Sequence, residues 1–183
     1  STIHIMDSTK TSTYQLKEID TNTGKTEVIF HHPKYDFYPQ IIDDTVMGAT
    51  FNPGYAQAYW FETNDPLQNS ILQAVQAFNG NIEIFDKKEI GLVALSKKKD
   101  KLIINVRDSV SSSKYYLYDL EKNQMKYLLT MWPEIDDAGL EAEVPFNFVN
   151  SDGVTIHGYY TRAKDQTEDQ KAPMIVVPHG GPH

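Results

Sequence analysis

The sequence predicts a mainly β fold, because short runs rich in Ile, Val, Tyr, Phe and Thr alternate with turn residues along most of its 183 residues. The clearest run is Lys101 to Arg107, where Leu102, Ile104 and Val106 lie on one face. A period of two is that of a half-buried strand. Two further observations refine this class: a repeated strand–turn–strand pattern and one helical pattern between the repeats.

The strand–turn–strand pattern occurs twice, about 100 residues apart. Thr13 to Phe30 reads TYQLKEID, TNTG and KTEVIF, and the segment from Lys114 reads KYYLYDL, EKNQ and MKYLL, with Leu16 and Leu117 in matching places. Propeller blades take about 40 to 45 residues each, so this spacing predicts two blades and an insertion. A chance likeness between two β-hairpins is the alternative.

The insertion contains one predicted helix, at about residues 66–78. Asp65 supplies an N-cap carboxylate, Pro66 suits the first helical position, and Gln68 completes a capping box. Apolar residues then recur at helical spacing until Asn79-Gly80: Leu67, Ile71, Leu72, Val75 and Phe78. We expect this stripe to cover the core or a neighbouring sheet rather than to bind a ligand.

The pattern of alternating strands ends at Trp132 to Leu140, a segment with a proline, three acids and a glycine. We interpret this segment as the exit from the propeller. Its acids Glu134, Asp136 and Asp137 suit a solvated linker better than a cation site. Glu143 to Tyr160 then predicts a hairpin around an Asp-Gly turn. A polar loop leads to residues 173–178, PMIVVP, a wholly apolar run that predicts a strand buried on both faces.

This apolar run leads directly into HGGPH at residues 179–183. An Asp-Gly hairpin, a polar loop, an apolar strand and HGGP together resemble the start of the peptidase domain in the prolyl oligopeptidase family. The likeness is closest to its acylaminoacyl-peptidase and dipeptidyl-aminopeptidase branches. The KYYLYDL strand, the AYWFETNDP segment and the helix after it are similar to the last propeller blades of those enzymes. The fold implied is a partial β-propeller of about two blades at 1–140, then the first strands of an α/β-hydrolase domain at 141–183.

The resemblance gives the two glycines a role in acyl transfer. Such enzymes stabilise a tetrahedral oxyanion with backbone N–H groups fixed before the reaction, and glycine lets the backbone approach a substrate closely. By resemblance, Gly181 supplies one oxyanion-hole donor and Gly180 shapes the turn. His179 and Pro182 belong to the same loop, and His179 is expected to orient it rather than to act as the base. A glycine turn after an edge strand is the non-catalytic alternative.

The sequence lacks the remainder of such a site. It contains no G-x-S-x-G, so no Ser-Asp-His set can be assembled from it. We therefore expect these residues to be inactive alone and to belong to a longer serine peptidase that hydrolyses short peptides. The resemblance implies no cofactor and no metal, a short peptide substrate, and self-association through open strand edges. The alternatives are an esterase or lipase with the same loop, and a non-enzymatic β-module that binds a ligand or a protein.

Composition excludes several classes of function. With 17 basic and 25 acidic residues the net charge is −8, which opposes a general nucleic-acid role. The absence of Cys excludes disulfides and thiolate metal sites. No apolar run has the length of a membrane span, so no membrane partner is expected. Both a cytoplasmic and a periplasmic location fit.

Several other polar and aromatic side chains suit structural roles better than a site. His31 and His32 are adjacent, so on a strand they point to opposite faces and cannot readily share one ion. Arg107 is expected to have a structural partner rather than a substrate carboxylate, and His157 to be a strand residue rather than a ligand. The aromatic stretch is expected mainly in the core: Tyr35, Phe37, Tyr38, Tyr55, Tyr59, Trp60 and Phe61.

Overall fold

The computed structural model describes residues 1–81, 88–136, 138–167, 169–178 and 180, without the side chains of 78–81. Its strands are β1 (Thr2–Asp7), β2 (Gln15–Asp20), β3 (Thr26–His31), β4 (Phe37–Ile42), β5 (Thr45–Phe51), β6 (Gln57–Trp60), β7 (Glu89–Leu95), β8 (Lys101–Arg107), β9 (Lys114–Asp119), β10 (Gln124–Thr130), β11 (Val144–Val149) and β12 (Thr155–Tyr160). The helices are α1 (Pro66–Asn81) and α2 (Pro133–Asp136). The prediction of a mainly β protein is confirmed.

The first ten strands form three antiparallel meanders in chain order, one more than the two repeat units predicted, because the segment between the repeats contributes strands as well as a helix. Sheet 1 contains β1, β2 and β3, sheet 2 contains β4, β5 and β6, and sheet 3 contains β7 to β10. The strands β11 and β12 pair only with each other in the described residues. Two first strands, β4 of sheet 2 and β7 of sheet 3, lie against each other. The turns that follow them are joined by an ion pair of 2.7 Å between Asp43 and Lys99.

Sheet 2 lies between sheets 1 and 3 and shares a hydrophobic core with each. Against sheet 1, the buried residues are Leu16, Phe37 and Ala49. The core shared with sheet 3 also takes in α1: Ile42, Met47, Ile71, Ala74, Val75, Ile90, Leu102, Ile104, Val106 and Tyr118. The alternation predicted for β8 is thus confirmed, because Leu102, Ile104 and Val106 all face this second core.

The helix α1 begins at the predicted residue and for the predicted reason. The carboxylate of Asp65 accepts a hydrogen bond of 2.9 Å from the Gln68 N–H. The capping box is not completed by Gln68, because the Asp65 N–H instead donates to Thr63 Oγ1 at 3.1 Å. The helix runs to Asn81, beyond the predicted end at Phe78. Its apolar stripe faces the core as expected, except that the Phe78 side chain lies outside the described residues.

Sheets 1 and 3 repeat the same strand pairing at a constant shift of 99 residues (Thr2 to Lys101, Asp20 to Asp119). The last strands of the two sheets carry a β-bulge at the same place, at Ile29 in β3 and at Leu128 in β10. The predicted repeat is therefore present, but its alignment was wrong by two residues. Leu16 is equivalent to Tyr115 rather than to Leu117, because the bulge and the turn fix the register.

The hairpin predicted around the Asp-Gly pair is confirmed in β11 and β12. Gly153 has a φ of 79°, a conformation that costs glycine little, and Asn150 accepts hydrogen bonds from the N–H groups of Asp152 and Val154. The strand predicted at 173–178, buried on both faces, is not found within the described residues. These residues form no strand, because no described segment pairs with them, and Met174 to Val177 are 71–89% exposed.

Candidate functional site

The glycine loop is the first candidate, and only Gly180 of it is described. That residue is exposed, and a Cβ added to it would meet no atom within 4 Å. His179, Gly181, Pro182 and His183 lie outside the described residues. Among the described residues nothing packs against Gly180, and the oxyanion role of Gly181 stays a prediction.

A buried hydroxyl–imidazole pair, which sequence reasoning did not find, joins β3 to the loop before β2. Thr13 is 7% exposed, and its Oγ1 lies 3.0 Å from Nε2 of His31. Such a pair is the first requirement for a nucleophile and its base. However, the Thr13 hydroxyl donates its only proton to the His32 carbonyl at 2.7 Å. His31 must then donate rather than accept, so the pair fastens the loop and does not activate a nucleophile.

The neighbouring His32 closes the turn that precedes β4. Its Nδ1 accepts hydrogen bonds from the N–H groups of Lys34 and Tyr35 at 3.3 and 3.0 Å. Its ring stacks on Tyr35 and on Phe51, with centroids 5.0 and 4.6 Å apart. The two histidines therefore serve different contacts, which agrees with the prediction that they do not share an ion.

Arg107 borders a small cleft of about 250 Å³ between the loop after β5 and the end of β8. Its guanidinium donates two hydrogen bonds to Glu89, from Nε at 2.8 Å and from Nη2 at 2.6 Å. This carboxylate raises the pKa of Arg107 above its ordinary value. The expected structural partner is thus confirmed. Lys88 likewise lies 3.3 Å from Asp108, so both cations beside this cleft pair with carboxylates of the protein.

One acidic side chain after β10 connects the segment 132–140 to sheet 3. Asp136 accepts a hydrogen bond of 2.8 Å from the Ser112 N–H and lies 3.1 Å from Lys114 Nζ. Both contacts lower the pKa of Asp136, the Ser112 bond more strongly. Asp137 lies outside the described residues, and Glu134 is exposed. Nowhere in the described ranges do three or more His, Asp or Glu residues meet as metal ligands would.

The aromatic stretch divides between core and surface. Phe37 is 2% exposed and meets Phe30 edge-on at 4.8 Å, while Trp60 and Phe61 pack beside the two cores. Tyr38 and Tyr59 are exposed, although Tyr59 stacks on Phe30 at 5.5 Å. Core packing therefore describes only part of the stretch. His157 faces Asn147 across the β11–β12 hairpin, as expected for a strand residue.

The chain matches no protein-family model and no curated protein. In the described residues no helix is long and apolar enough to cross a membrane.

Proposed function

We propose that these residues belong to a serine peptidase of the prolyl oligopeptidase type. In this proposal residues 1–140 are part of a β-propeller and 141–183 begin an α/β-hydrolase domain. One observation carries it: an Asp-Gly hairpin is followed by the apolar run PMIVVP and directly by His-Gly-Gly-Pro. A buried strand that runs into a glycine pair is the arrangement that offers backbone N–H groups to an oxyanion.

The three meanders support the propeller part of the proposal. Blades of a propeller are antiparallel meanders packed face to face, with their first strands around a central axis. Sheets 1, 2 and 3 are such meanders, and β4 lies beside β7 as first strands of neighbouring blades would. The repeated register of sheets 1 and 3 fits radial repetition. Helix α1 then follows the third strand of the middle blade.

The exposed apolar run supports the hydrolase part. Met174 to Val177 leave four large apolar side chains in water, although burial of each is worth about 1.5 to 3 kcal/mol. A segment of this kind requires a covering layer. We propose that strands from outside these 183 residues pair with 173–178 and cover it. The glycine pair then lies at the end of a central strand of that sheet.

In the proposed reaction a serine, also from outside these residues, attacks the carbonyl carbon of a short peptide. As negative charge develops on it, the carbonyl oxygen accepts hydrogen bonds from the Gly181 N–H and from the backbone N–H of the residue after the serine. A histidine takes the hydroxyl proton of the serine and donates it to the amine as the C–N bond breaks. Water, which gives a proton to the same histidine, then hydrolyses the acyl-enzyme, and the histidine returns that proton to the serine. Upstream meanders favour a peptidase over an esterase, because a propeller restricts access to short, unstructured chains. No cofactor takes part.

The test is steady-state kinetics of the complete natural protein on short peptide p-nitroanilides. We expect a G-x-S-x-G in its coding sequence within about 60 to 100 residues after His183. Gly181→Val should misplace the oxyanion donor and lower kcat about a hundredfold, with little change in KM. Gly91→Ala is the control, because a Cβ there meets only Asn105 Oδ1 at 3.9 Å. Equal activity of both variants would overturn the proposal, and so would a stop codon directly after His183.

A further inference from the structure

The β11–β12 hairpin is attached to sheet 2 at the loop of residues 52–56, which we call the seat. The Tyr159 hydroxyl donates a hydrogen bond of 2.9 Å to Asn52 Oδ1. The same oxygen accepts a hydrogen bond of 3.1 Å from the Gly54 N–H, within the seat itself. One side-chain oxygen of Asn52 therefore fixes both the turn of the seat and the second strand of the hairpin.

The backbone of the seat also lies close to the first strand of the hairpin. Gly54 has a φ of 136°, a conformation that residues with a Cβ rarely adopt. A Cβ added to Gly54 would lie 3.2 Å from Cβ and 3.3 Å from Cγ of Pro145. Both the conformation and this close approach require glycine, so the seat fits the hairpin in shape as well as through its hydrogen bond.

A second attachment connects the start of the hairpin to sheet 3, at the turn between β8 and β9. The Glu143 N–H donates a hydrogen bond of 3.3 Å to Ser109 Oγ in this turn. Asp136, which precedes the hairpin, accepts a hydrogen bond of 2.8 Å from the Ser112 N–H of the same turn. The chain is thus attached to one turn of sheet 3 on both sides of the segment 138–142.

The segment 138–142 contains the residue best suited to a bend, Gly139. Its φ is 62°, and a Cβ added to it would meet no atom of the described residues within 4 Å. A hinge at such a residue would let the hairpin swing away from the sheets. The attachments at Asp136 and Glu143 lie on either side of Gly139, however. Rotation about Gly139 therefore moves the hairpin only if the hydrogen bonds of Glu143 and Tyr159 break.

We propose that these attachments keep the β11–β12 hairpin docked, so that the hairpin and sheets 2 and 3 move as one rigid body. The contacts lie on two different sheets, which restrains rotation of the hairpin as well as its separation. The short segment 138–142 keeps a released hairpin near the seat, which favours its return. This inference does not rest on the proposed peptidase function. In the proposed peptidase, the hairpin moves with the propeller, and the separately moving part of the hydrolase domain begins after Tyr160 rather than at 141.

The test measures distances between pairs of nitroxide spin labels in the 183-residue chain by double electron–electron resonance. The chain contains no Cys, so introduced cysteines are its only labelling sites. Val149→Cys with Lys98→Cys joins the hairpin to sheet 3, and Val28→Cys with Lys98→Cys is the reference pair within the sheets. Val149 and Val28 are both exposed strand residues, and both pairs share the label at Lys98 in the β7–β8 turn. A difference in width between the two distance distributions therefore reports movement of the hairpin.

We expect the hairpin pair to give a single distance distribution as narrow as that of the reference pair. Gly54→Ala should broaden the hairpin distribution towards longer distances and leave the reference pair unchanged, because the added Cβ pushes Pro145 off the seat. Gly91→Ala is the matched control and should change neither distribution, because its added Cβ meets only Asn105 Oδ1 at 3.9 Å.

A second variant, Tyr159→Phe, deletes only the hydroxyl that bonds to Asn52 and should broaden the hairpin distribution in the same direction. Far-UV circular dichroism verifies that each variant folds. The inference is overturned by a hairpin distribution broader than the reference in the chain without these substitutions. An unchanged hairpin distribution in both Gly54→Ala and Tyr159→Phe overturns it equally.

Discussion

At the scale of single residues, the features that sequence reasoning predicted are those fixed by close neighbours in the chain. The Asp65 cap and the Gly153 turn depend on atoms within three or four residues, and both are present. The β4–β5 turn was not predicted, because two aspartates, Asp43 and Asp44, adopt positive φ there without a glycine or asparagine to indicate it. The link between Thr13 and His31 joins distant residues, so no local pattern indicates it.

The Asp65 cap should contribute measurably to stability. Asp65→Ala removes the acceptor for the Gln68 N–H and should lower the free energy of unfolding by about 1 kcal/mol in urea titration. Asp65→Asn keeps an acceptor oxygen and is the control, with an expected change of a few tenths of a kcal/mol at most. Equal losses in both variants would show that the charge, not the cap, matters.

Asp100 should make stability depend on pH in acid solution. Hydrogen bonds from Ser96 Oγ and Lys101 Nζ lower the pKa of Asp100 to about 2. A lowered carboxyl pKa contributes stability that is present above the unfolded-state value of about 3.9 and is lost as the pH falls towards 2. Asp100→Asn should therefore flatten the fall in unfolding free energy between about pH 4 and pH 2. Asp152→Asn is the matched control, because it makes the same substitution at an exposed turn position. An unaltered slope in Asp100→Asn contradicts this assignment.

At the scale of elements, alternation and helical spacing predicted which segments form strands and α1, but not how they pair. Leu16 and Leu117 look alike in sequence, yet the register makes Tyr115 the equivalent of Leu16. A β-bulge shifts the pairing of two strands by one residue, and the hydrophobic pattern of the sequence does not reveal where the bulge lies. The run PMIVVP shows the same limit, because an apolar segment indicates a need for burial but does not supply a partner strand.

The equivalent strands β1 and β8 should respond differently to the same loss of side chain. Leu102→Ala leaves a cavity in the core between sheets 2 and 3 and should cost about 2 to 5 kcal/mol of unfolding free energy. Ile3→Ala, at the equivalent half-exposed position, should cost about 1 kcal/mol or less in dilute solution. Chemical denaturation monitored by fluorescence measures both values. A cost for Ile3→Ala as large as that for Leu102→Ala would mean that the side of sheet 1 that carries Ile3 is covered.

At the scale of the whole molecule, the order of elements is what the sequence conveyed best: repeated meanders, one inserted helix, then a separate hairpin. The stacking of sheet 2 between two cores could not be foreseen, because it depends on which strand faces meet in space. The geometry of the candidate oxyanion site at Gly180 and Gly181 could not be predicted either, for a different reason. An oxyanion hole needs a second donor and a nucleophile from other elements, and these 183 residues contain no G-x-S-x-G.

The most direct measurement is labelling of the complete natural protein with a fluorophosphonate, followed by mass-spectrometric mapping of the modified residue. The proposed peptidase requires stoichiometric labelling of one serine within a G-x-S-x-G outside residues 1–183, together with loss of peptidase activity. The 183-residue chain treated in the same way should stay unlabelled. Absence of labelling in the complete protein, or labelling confined to a serine within these residues, would contradict the assignment to a serine peptidase.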